Sequence, residues 1–299
     1  MNKLITAAIL ISALSPSARA QTALDQLSTA AQPAFSIPAV PLPDRGDFVD
    51  TNFPAWDERS PLSYHQNRAE LPFRAGDKAM IKNVRWGLTP EDKKSYLWET
   101  VRIDASKLEK AVYGYKTFGT GHTFLVFVFG PEGAVNSRGE SVRSLTFGAE
   151  GWTREPMGYN IGHALAGKYQ LIWNVTTFES YADYTIGVKH TEMFFKRINI
   201  DAAQTAKLFA GVLKRMDETN RNREMYNLLT NSCTNNPVEL LNSVLPEKQR
   251  VRLELIGVPN PNASIPAKAV NKFVEKGVLS EETLKVDGGN SKTADLAGI

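Results

Sequence analysis

HTFLVFVF, residues 122–129, is the stretch that decides the fold. Successive side chains of a β-strand point to opposite faces of the sheet. In this stretch, both faces are apolar after the first two residues, His122 and Thr123. One face carries Phe124, Val126 and Val128 behind His122, and the other carries Leu125, Phe127 and Phe129 behind Thr123. The pattern predicts a central strand that is covered on both sides, with His122 at its first position.

Other stretches with strand character lie on both sides of this one, and helices follow them. The strand-like stretches are WETVRIDASKL (98–108), SVRSLTFGAE (141–150), YQLIWNVTTF (169–178) and TEMFFKRINI (191–200). Helical spacing of apolar residues occurs at 201–220, 237–245 and 266–277, and Asp201 with Gln204 forms a capping-box signature. This order predicts an α+β fold in which helices pack against an antiparallel sheet.

YNLLTNSCTNNP, residues 226–237, contains the only cysteine of the chain. Hydroxyl and amide side chains flank Cys233, whereas a cysteine that fills a core usually has apolar neighbours. Asn236 and Pro237 resemble an N-cap and a first helical residue, so the next helix starts at Cys233 or just after it. A helix N-terminus or an imidazolium can stabilise a thiolate. A catalytic Cys233 is therefore expected to be accessible and to react well below its usual pKa of about 8.5.

A cysteine nucleophile needs a base, and the chain has four histidines. His122 begins the most buried strand, where a junction of loop and strand can present an imidazole at the edge of a sheet. His190 is the main competitor because it also falls near a predicted strand. His65 and His163 lie in segments that resemble loops or turns. We therefore predict a dyad of Cys233 and His122.

A third polar group usually orients the imidazole of such a dyad. Glu150, at the end of the stretch 141–150, is the first choice, and Thr146 and Asn231 are the alternatives. Backbone N–H groups at the start of the cysteine helix are expected to stabilise an oxyanion. The side chains of Asn231, Ser232 and Thr234 are further candidates for contact with the substrate or the oxyanion.

The N-terminal residues predict export. Lys3, an apolar run from Leu4 to Leu14 and the small residues around Arg19 predict a signal peptide over residues 1–20 and a periplasmic protein. A Pro- and Ala-rich lead-in is expected at 21–45. One catalytic-type domain is expected at 46–286, with its core at about 80–245, followed by a disordered tail at 287–299.

The amino-acid composition and charge argue against some classes of function. With 42% hydrophobic and 22% charged residues, the chain is typical of a globular protein. Its net charge of +3 is dispersed without a basic run, which argues against nucleic-acid binding. No zinc-ligand spacing is present, so we predict neither a metal nor a cofactor. The mildly basic surface is compatible with peripheral contact with a membrane.

Five stretches of the sequence occur in the order seen in a known family. They are NVRWGL (83–88), GHTFLVFVF (121–129), LTFGAEGWTRE (145–155), YQLIWNVTTFES (169–180) and YNLLTNSCTN (226–235). From about residue 81 to residue 245, the chain resembles the periplasmic domain of Lnb-type bacterial lipoprotein N-acyltransferases. The resemblance implies a circularly permuted papain-like fold, as in NlpC-type enzymes, with histidine before cysteine in the chain. It also implies Cys233 as nucleophile, His122 as base and an acidic residue at Glu150.

The resemblance further implies a reaction. An acyl chain would pass from a phospholipid donor to Cys233 as a thioester, and then to the amine of a lipoprotein or to water. Ser232 departs from the family pattern, which often has asparagine directly before the cysteine. Two alternatives stay open: a peptidoglycan amidase or peptidase of the same fold, and a non-catalytic binding module of the cell envelope.

Overall fold

The computed structural model describes residues 63–88, 96–117, 121–154, 158–292 and 294–299. The predicted signal peptide at 1–20, the lead-in at 21–45 and the first part of the predicted domain, 46–62, lie outside the described residues. No helix in the described ranges is long and apolar enough to cross a membrane.

Thirteen strands and six α-helices are described. The strands are β1 (Glu70–Ala75), β2 (Lys78–Leu88), β3 (Tyr96–Asp104), β4 (Leu108–Lys116), β5 (His122–Phe129), β6 (Ala134–Asn136), β7 (Ser144–Gly151), β8 (Tyr169–Thr177), β9 (Met193–Arg197), β10 (Met225–Tyr226), β11 (Glu254–Leu255), β12 (Val258–Pro259) and β13 (Leu284–Val286). The helices are α1 (Ile161–Leu165), α2 (Phe178–Ala182), α3 (Ala202–Asn222), α4 (Asn235–Val244), α5 (Pro261–Ser264) and α6 (Pro266–Glu275). A π-helical segment, Asp183–Val188, continues α2.

Most strands belong to one large sheet with the order β13-β9-β4-β5-β7-β8-β2-β3-β6, and β1 and β10 pair with β2 and β8. β5 lies inside this sheet, between β4 and β7, and pairs antiparallel with both. The α+β class is therefore confirmed. The expectation of an antiparallel sheet holds for all described pairs but one, because β2 meets β8 in parallel through Arg85 and Thr176.

The two faces of β5 contribute to two separate apolar layers, as the sequence predicted. Phe124, Val126 and Val128 belong to one buried cluster, and Leu125, Phe127 and Phe129 belong to the other. On the second face, the Phe209 ring of α3 lies 4.9 Å from the Phe127 ring and 5.7 Å from the Phe129 ring. The predicted capping box of α3 is present, since Asp201 and Gln204 each accept a hydrogen bond from the other's backbone N–H. Both layers hold β5 rigidly, and with it the position of His122.

Two long strands, β2 and β4, were not predicted. Charged residues interrupt the apolar alternation in both, and Asn83 has a positive φ of 60° at a register shift within β2. The C-terminal segment also differs from the expectation of disorder. Leu296 is buried in the cluster that contains Val286, and Lys110 donates a hydrogen bond to the carbonyl of Ile299. A chain terminus is ordered where such contacts hold it to the rest of the domain.

Candidate active site

Cys233, His122 and Glu150 line one cavity of about 520 Å³. They come from three different elements: the loop before α4, the first position of β5 and the end of β7. The structure therefore brings together the three residues that the sequence singled out as catalytic. Asn231, Ser232 and Thr234 do not line this cavity.

The thiol of Cys233 is buried among hydrogen-bond donors. Cys233 is 4% exposed, the Tyr226 hydroxyl lies 3.6 Å from its Sγ, and the Thr234 Oγ1 lies 3.9 Å from it. The Thr123 hydroxyl donates a 2.6 Å hydrogen bond to the Cys233 carbonyl. Because Thr123 directly follows His122, this bond ties the cysteine loop to the strand that carries the histidine.

The polar residues around Cys233 mainly organise the start of α4. The Ser232 hydroxyl accepts hydrogen bonds from the backbone N–H groups of Thr234 and Asn235 and donates to the Asn235 side chain. Such bonds satisfy donors that a helix N-terminus leaves without an intrahelical partner. α4 accordingly begins at Asn235, one residue before the predicted N-cap, Asn236.

Asn231 belongs to an ion-pair network on the far side of the loop. Its side-chain oxygen accepts from Arg215 and Asn236, and its amide donates to Glu224, which also pairs with Arg215. The polar atoms of Asn231 and Ser232 are therefore engaged with α3 and with the start of α4, and contact of these side chains with a substrate stays a prediction. Of the three residues proposed for substrate contact, only Thr234 approaches the sulfur.

The protonation of the thiol also differs from expectation. Burial raises the pKa of Cys233 above its usual value, and this effect outweighs the hydrogen bonds from the Thr123 backbone N–H and the Tyr226 hydroxyl, which favour the thiolate. The sequence pointed to an accessible thiol of low pKa, but the thiol is buried and neutral at pH 7. Sequence position before a helix does not reveal how much water reaches the sulfur.

Alkylation of the native protein should therefore increase with pH in a single step whose midpoint lies above about pH 8.5, the usual thiol value. The sign follows from the raised pKa, because the reactive thiolate forms only as pH rises through it. The rate constant of iodoacetamide labelling of Cys233, followed by mass spectrometry from pH 6 to 10, measures this. A plateau that extends below pH 7 would instead indicate a thiolate–imidazolium pair and contradict the prediction.

His122 and Glu150 face each other across neighbouring strands. The His122 Nε2 lies 3.6 Å from the Glu150 Oε1, and no described atom donates to or accepts from this nitrogen within hydrogen-bond distance. Gly148 lies beneath the pair, and a Cβ there would be 3.1 Å from Oε1 and 3.5 Å from Nε2. The absence of a side chain at Gly148 therefore lets the imidazole and the carboxylate approach each other.

The second oxygen of Glu150 is held by two amides. Gln66 donates a 2.7 Å hydrogen bond to Oε2, and Asn174 donates a longer one of 3.3 Å. Gln66 is itself fixed, because its oxygen accepts from the backbone and hydroxyl of Thr153. No sequence pattern pointed to Gln66 or Asn174, which lie 84 and 24 positions away from Glu150 in the chain.

His122 is uncharged and can accept a proton, and the same surroundings make it a weaker base than a free imidazole. Burial lowers its pKa well below the usual value, and the positive charge of Lys116 lowers it further. The imidazole is therefore neutral at pH 7, as a general base must be. Because Nε2 faces Glu150, Nδ1 is the nitrogen that remains for the thiol.

The other three histidines have different surroundings. His65, expected in a surface loop, lines the cavity and stacks on Tyr184 with 4.2 Å between ring centroids. His163 is buried in α1, and the competitor His190 is exposed with a positive φ of 51°. Neither of these two lines the cavity. His122 is the only histidine in the described cavity wall that faces a carboxylate.

Cationic and aromatic side chains form another wall of the cavity. Arg85 is fully buried, donates to the carbonyl groups of His65 and Ser180, and lies 4.6 Å from the Tyr96 ring centroid and 5.2 Å from that of Tyr184. Within the described ranges, no three His, Cys, Asp or Glu side chains gather as a metal site requires.

Comparison with known proteins connects this site to one family. The family model described as the Lnb N-terminal periplasmic domain matches residues 95–266 of the 299, which include Cys233, His122 and Glu150. A search of curated proteins found no match, and a search of solved structures found none. The family's description as periplasmic supports the predicted location. The chain therefore belongs to the Lnb N-terminal periplasmic domain family, as its resemblance to Lnb-type lipoprotein N-acyltransferases predicted.

Proposed function

We propose that this protein is a periplasmic acyltransferase of lipoprotein modification that carries the acyl chain as a thioester on Cys233. The donor is a phospholipid, reached by peripheral contact with the membrane, and the acceptor is the amine of a lipoprotein or water. One observation carries the proposal: a single cavity holds a thiol, a neutral imidazole and a carboxylate that faces the imidazole. Membership of the Lnb family supports the choice of acyl chemistry.

The order of elements supports a permuted papain-like arrangement as part of this proposal. The strand with His122 and the strand with Glu150 precede the helix with Cys233 in the chain, and all three meet at the cavity. In enzymes of this type, a cysteine before a helix faces a histidine at the edge of the sheet. The connection of Thr123 to the cysteine loop provides the corresponding contact here.

In the first step, Nδ1 of His122 takes the thiol proton while Sγ of Cys233 attacks the ester carbonyl of the donor. The new C–S bond produces a tetrahedral oxyanion. When that intermediate collapses, the ester C–O bond breaks, and the leaving alcohol takes the proton from the imidazolium. Glu150 stabilises the imidazolium through Nε2 during this step.

In the second step, the acceptor amine or water attacks the thioester carbonyl, and His122 takes its proton. The C–S bond breaks, and the sulfur leaves with that proton, so Cys233 returns to the thiol. Because both groups start neutral, His122 must act as a base within the attack and not merely maintain a preformed thiolate. The raised pKa of the Cys233 thiol, which results from burial, makes this base essential.

The oxyanion requires donors close to the sulfur. The Tyr226 hydroxyl is the nearest side-chain donor, at 3.6 Å from Sγ. Burial raises the pKa of Tyr226 well above its usual value, so the hydroxyl keeps its proton. We assign Tyr226 to this role. The backbone N–H groups of Thr234 and Asn235 at the start of α4 already donate to the Ser232 hydroxyl.

Incubation with substrates tests this proposal. With phospholipid vesicles, the native protein should gain the mass of one acyl chain, and neutral hydroxylamine should remove it because thioesters are labile to that reagent. Muropeptides, offered in parallel, should remain intact. If muropeptides are cleaved and no acyl adduct forms, the acyltransferase proposal fails and the protein is a peptidoglycan amidase or peptidase. No reaction with either substrate, and no alkylation of the folded protein, would identify a binding module.

A further inference from the structure

Lys116 is a cation inside the cavity without a carboxylate of its own. It is the register partner of His122 across β4 and β5, so the two side chains share one face of the sheet. Its Nζ lies 4.8 Å from the Tyr181 ring centroid, and no carboxylate of the described residues forms an ion pair with it. Burial lowers the pKa of Lys116 to about 8, and the negative charge of Glu150 opposes this shift. Because Glu150 also faces His122, its charge compensates the buried ammonium group only in part, and a bound anion would stabilise it further.

The cavity as a whole carries excess positive charge. Arg85, Lys116 and Lys189 line it, whereas Glu150 is the only carboxylate in its described wall. Glu150 is already engaged with His122 and with the amide of Gln66. Burial lowers the pKa of His122, and the positive charge of Lys116 lowers it further. Burial also lowers the pKa of His65, together with the charges of Arg85, Lys189 and, last, Lys116. The cavity therefore favours an anionic ligand.

Two hydroxyl groups in the same wall lack a hydrogen-bond partner among the described residues. The Tyr181 hydroxyl and the Thr185 Oγ1 are both buried without a donor or acceptor, and their residues are 3% and 1% exposed. Buried hydroxyl groups are normally satisfied. Burial raises the pKa of Tyr181 well above its usual value, so its hydroxyl remains a donor. These two groups are available to donate to a ligand.

We propose that Lys116, Tyr181 and Thr185 form a phosphate-binding subsite beside Cys233 and His122, with Arg85 and Lys189 adding positive charge. The assignment of this phosphate to the acyl donor rests on the proposed function. A phosphate group accepts from an ammonium and from hydroxyl groups at once, and Lys116 is placed to supply the charge. Holding the phosphate there would bring the neighbouring ester carbonyl towards Sγ, so the subsite selects phosphate-bearing esters over neutral ones.

Inorganic phosphate tests the subsite without acyl transfer. In the native protein, phosphate should slow iodoacetamide labelling of Cys233, whereas sodium chloride at equal ionic strength should not. Lys116→Met should lose this protection. Lys207→Met, which removes the same charge from an exposed position of α3, should retain it. Equal protection of native protein and Lys116→Met by phosphate would overturn the subsite.

Matched soluble donors then identify the source of the phosphate. The measured quantity is the ratio of kcat/KM for dihexanoyl phosphatidylglycerol to kcat/KM for dihexanoylglycerol. Lys116→Met should lower this ratio about 10- to 100-fold, as expected for a hydrogen bond to a charged group. Lys116→Arg should restore most of it, and Tyr181→Phe, which keeps the ring, should lower it about 3- to 10-fold.

The two measurements separate failure of the subsite from failure of the proposed function. If no donor acylates Cys233 but phosphate protects the native thiol and not Lys116→Met, the subsite stands and the acyltransferase proposal fails. Protection together with an unchanged donor ratio would assign the subsite to free phosphate instead of a headgroup. An equal loss with both donors, at an unchanged ratio and without phosphate protection, would show that Lys116 acts on His122 and overturn the subsite.

Discussion

Cys233→Ser is expected to lower acyl transfer at least about 10³-fold and to abolish the hydroxylamine-sensitive adduct. A serine hydroxyl would keep the neighbours of the sulfur, the Tyr226 and Thr234 hydroxyls. It would nevertheless be far harder to deprotonate than a thiol, and the thiol here already has a pKa raised by burial. Intact-mass spectrometry after incubation with phospholipid, together with the initial rate of transfer to an amine, measures the change.

Controls separate loss of chemistry from loss of fold. Cys233→Ala should also form no adduct, and both variants should unfold within a few degrees of the native protein because the substitutions are small. The native adduct should map to the peptide that contains Cys233 after proteolysis. A hydroxylamine-sensitive adduct that persists in Cys233→Ala, or that maps to another position, would show that the Cys233 thiol is not the acyl carrier.

Glu150→Gln is expected to lower turnover by two to four orders of magnitude while the fold is kept, the range of an orienting or acid–base group. The hydrogen bonds around the carboxylate explain the size of the effect. Gln66 and Asn174 both donate to Oε2, so the introduced amide would place its oxygen there and its NH₂ towards His122 Nε2. That NH₂ would favour the tautomer with a proton on Nδ1, which cannot accept one from the thiol. Steady-state kcat with a saturating donor measures the loss.

The same geometry predicts a rescue. In the double variant Glu150→Gln with Gln66→Glu, the new carboxylate would accept from the introduced amide and turn its oxygen towards Nε2. If the wrong tautomer of His122 causes the loss, the double variant should turn over about tenfold faster than Glu150→Gln alone. Glu109→Gln, at an exposed ion pair with Arg143 away from the cavity, should leave the rate unchanged. Unchanged turnover in Glu150→Gln would remove Glu150 from the mechanism.

Several of the strands and helices that position the site were predictable from local sequence patterns. The two-faced apolar stretch of β5 predicted a central strand, since only a strand covered on both sides tolerates such a run. The capping box at Asp201 predicted where α3 begins, because its hydrogen bonds join residues three positions apart. Cys233 and His122 were also identifiable from local sequence. Cys233 is the only cysteine and has polar neighbours, and His122 is the first residue of the apolar stretch that forms β5.

The strands β2 and β4 were harder to predict because charged residues interrupt their apolar alternation. Lys82 and Arg85 do so in β2, and Glu109 and Lys110 do so in β4, which weakens the strand signal. Arg85 also lines the cavity, so one residue that obscured β2 contributes to the charge of the site.

The sequence by itself determined most of the strand–helix order and the family resemblance, and it selected Cys233, His122 and, as first choice, Glu150. Only the tertiary structure decided how Cys233 and His122 are protonated and what supports Glu150. The pKa of the thiol depends on its burial, and Glu150 is oriented by Gln66 from 84 positions away. Solvation and long-range hydrogen bonds are properties of what packs around a group, which no local pattern encodes. For the same reason, the hydroxyls and amides beside Cys233 suggested substrate contact, whereas in the folded chain they mainly cap α4.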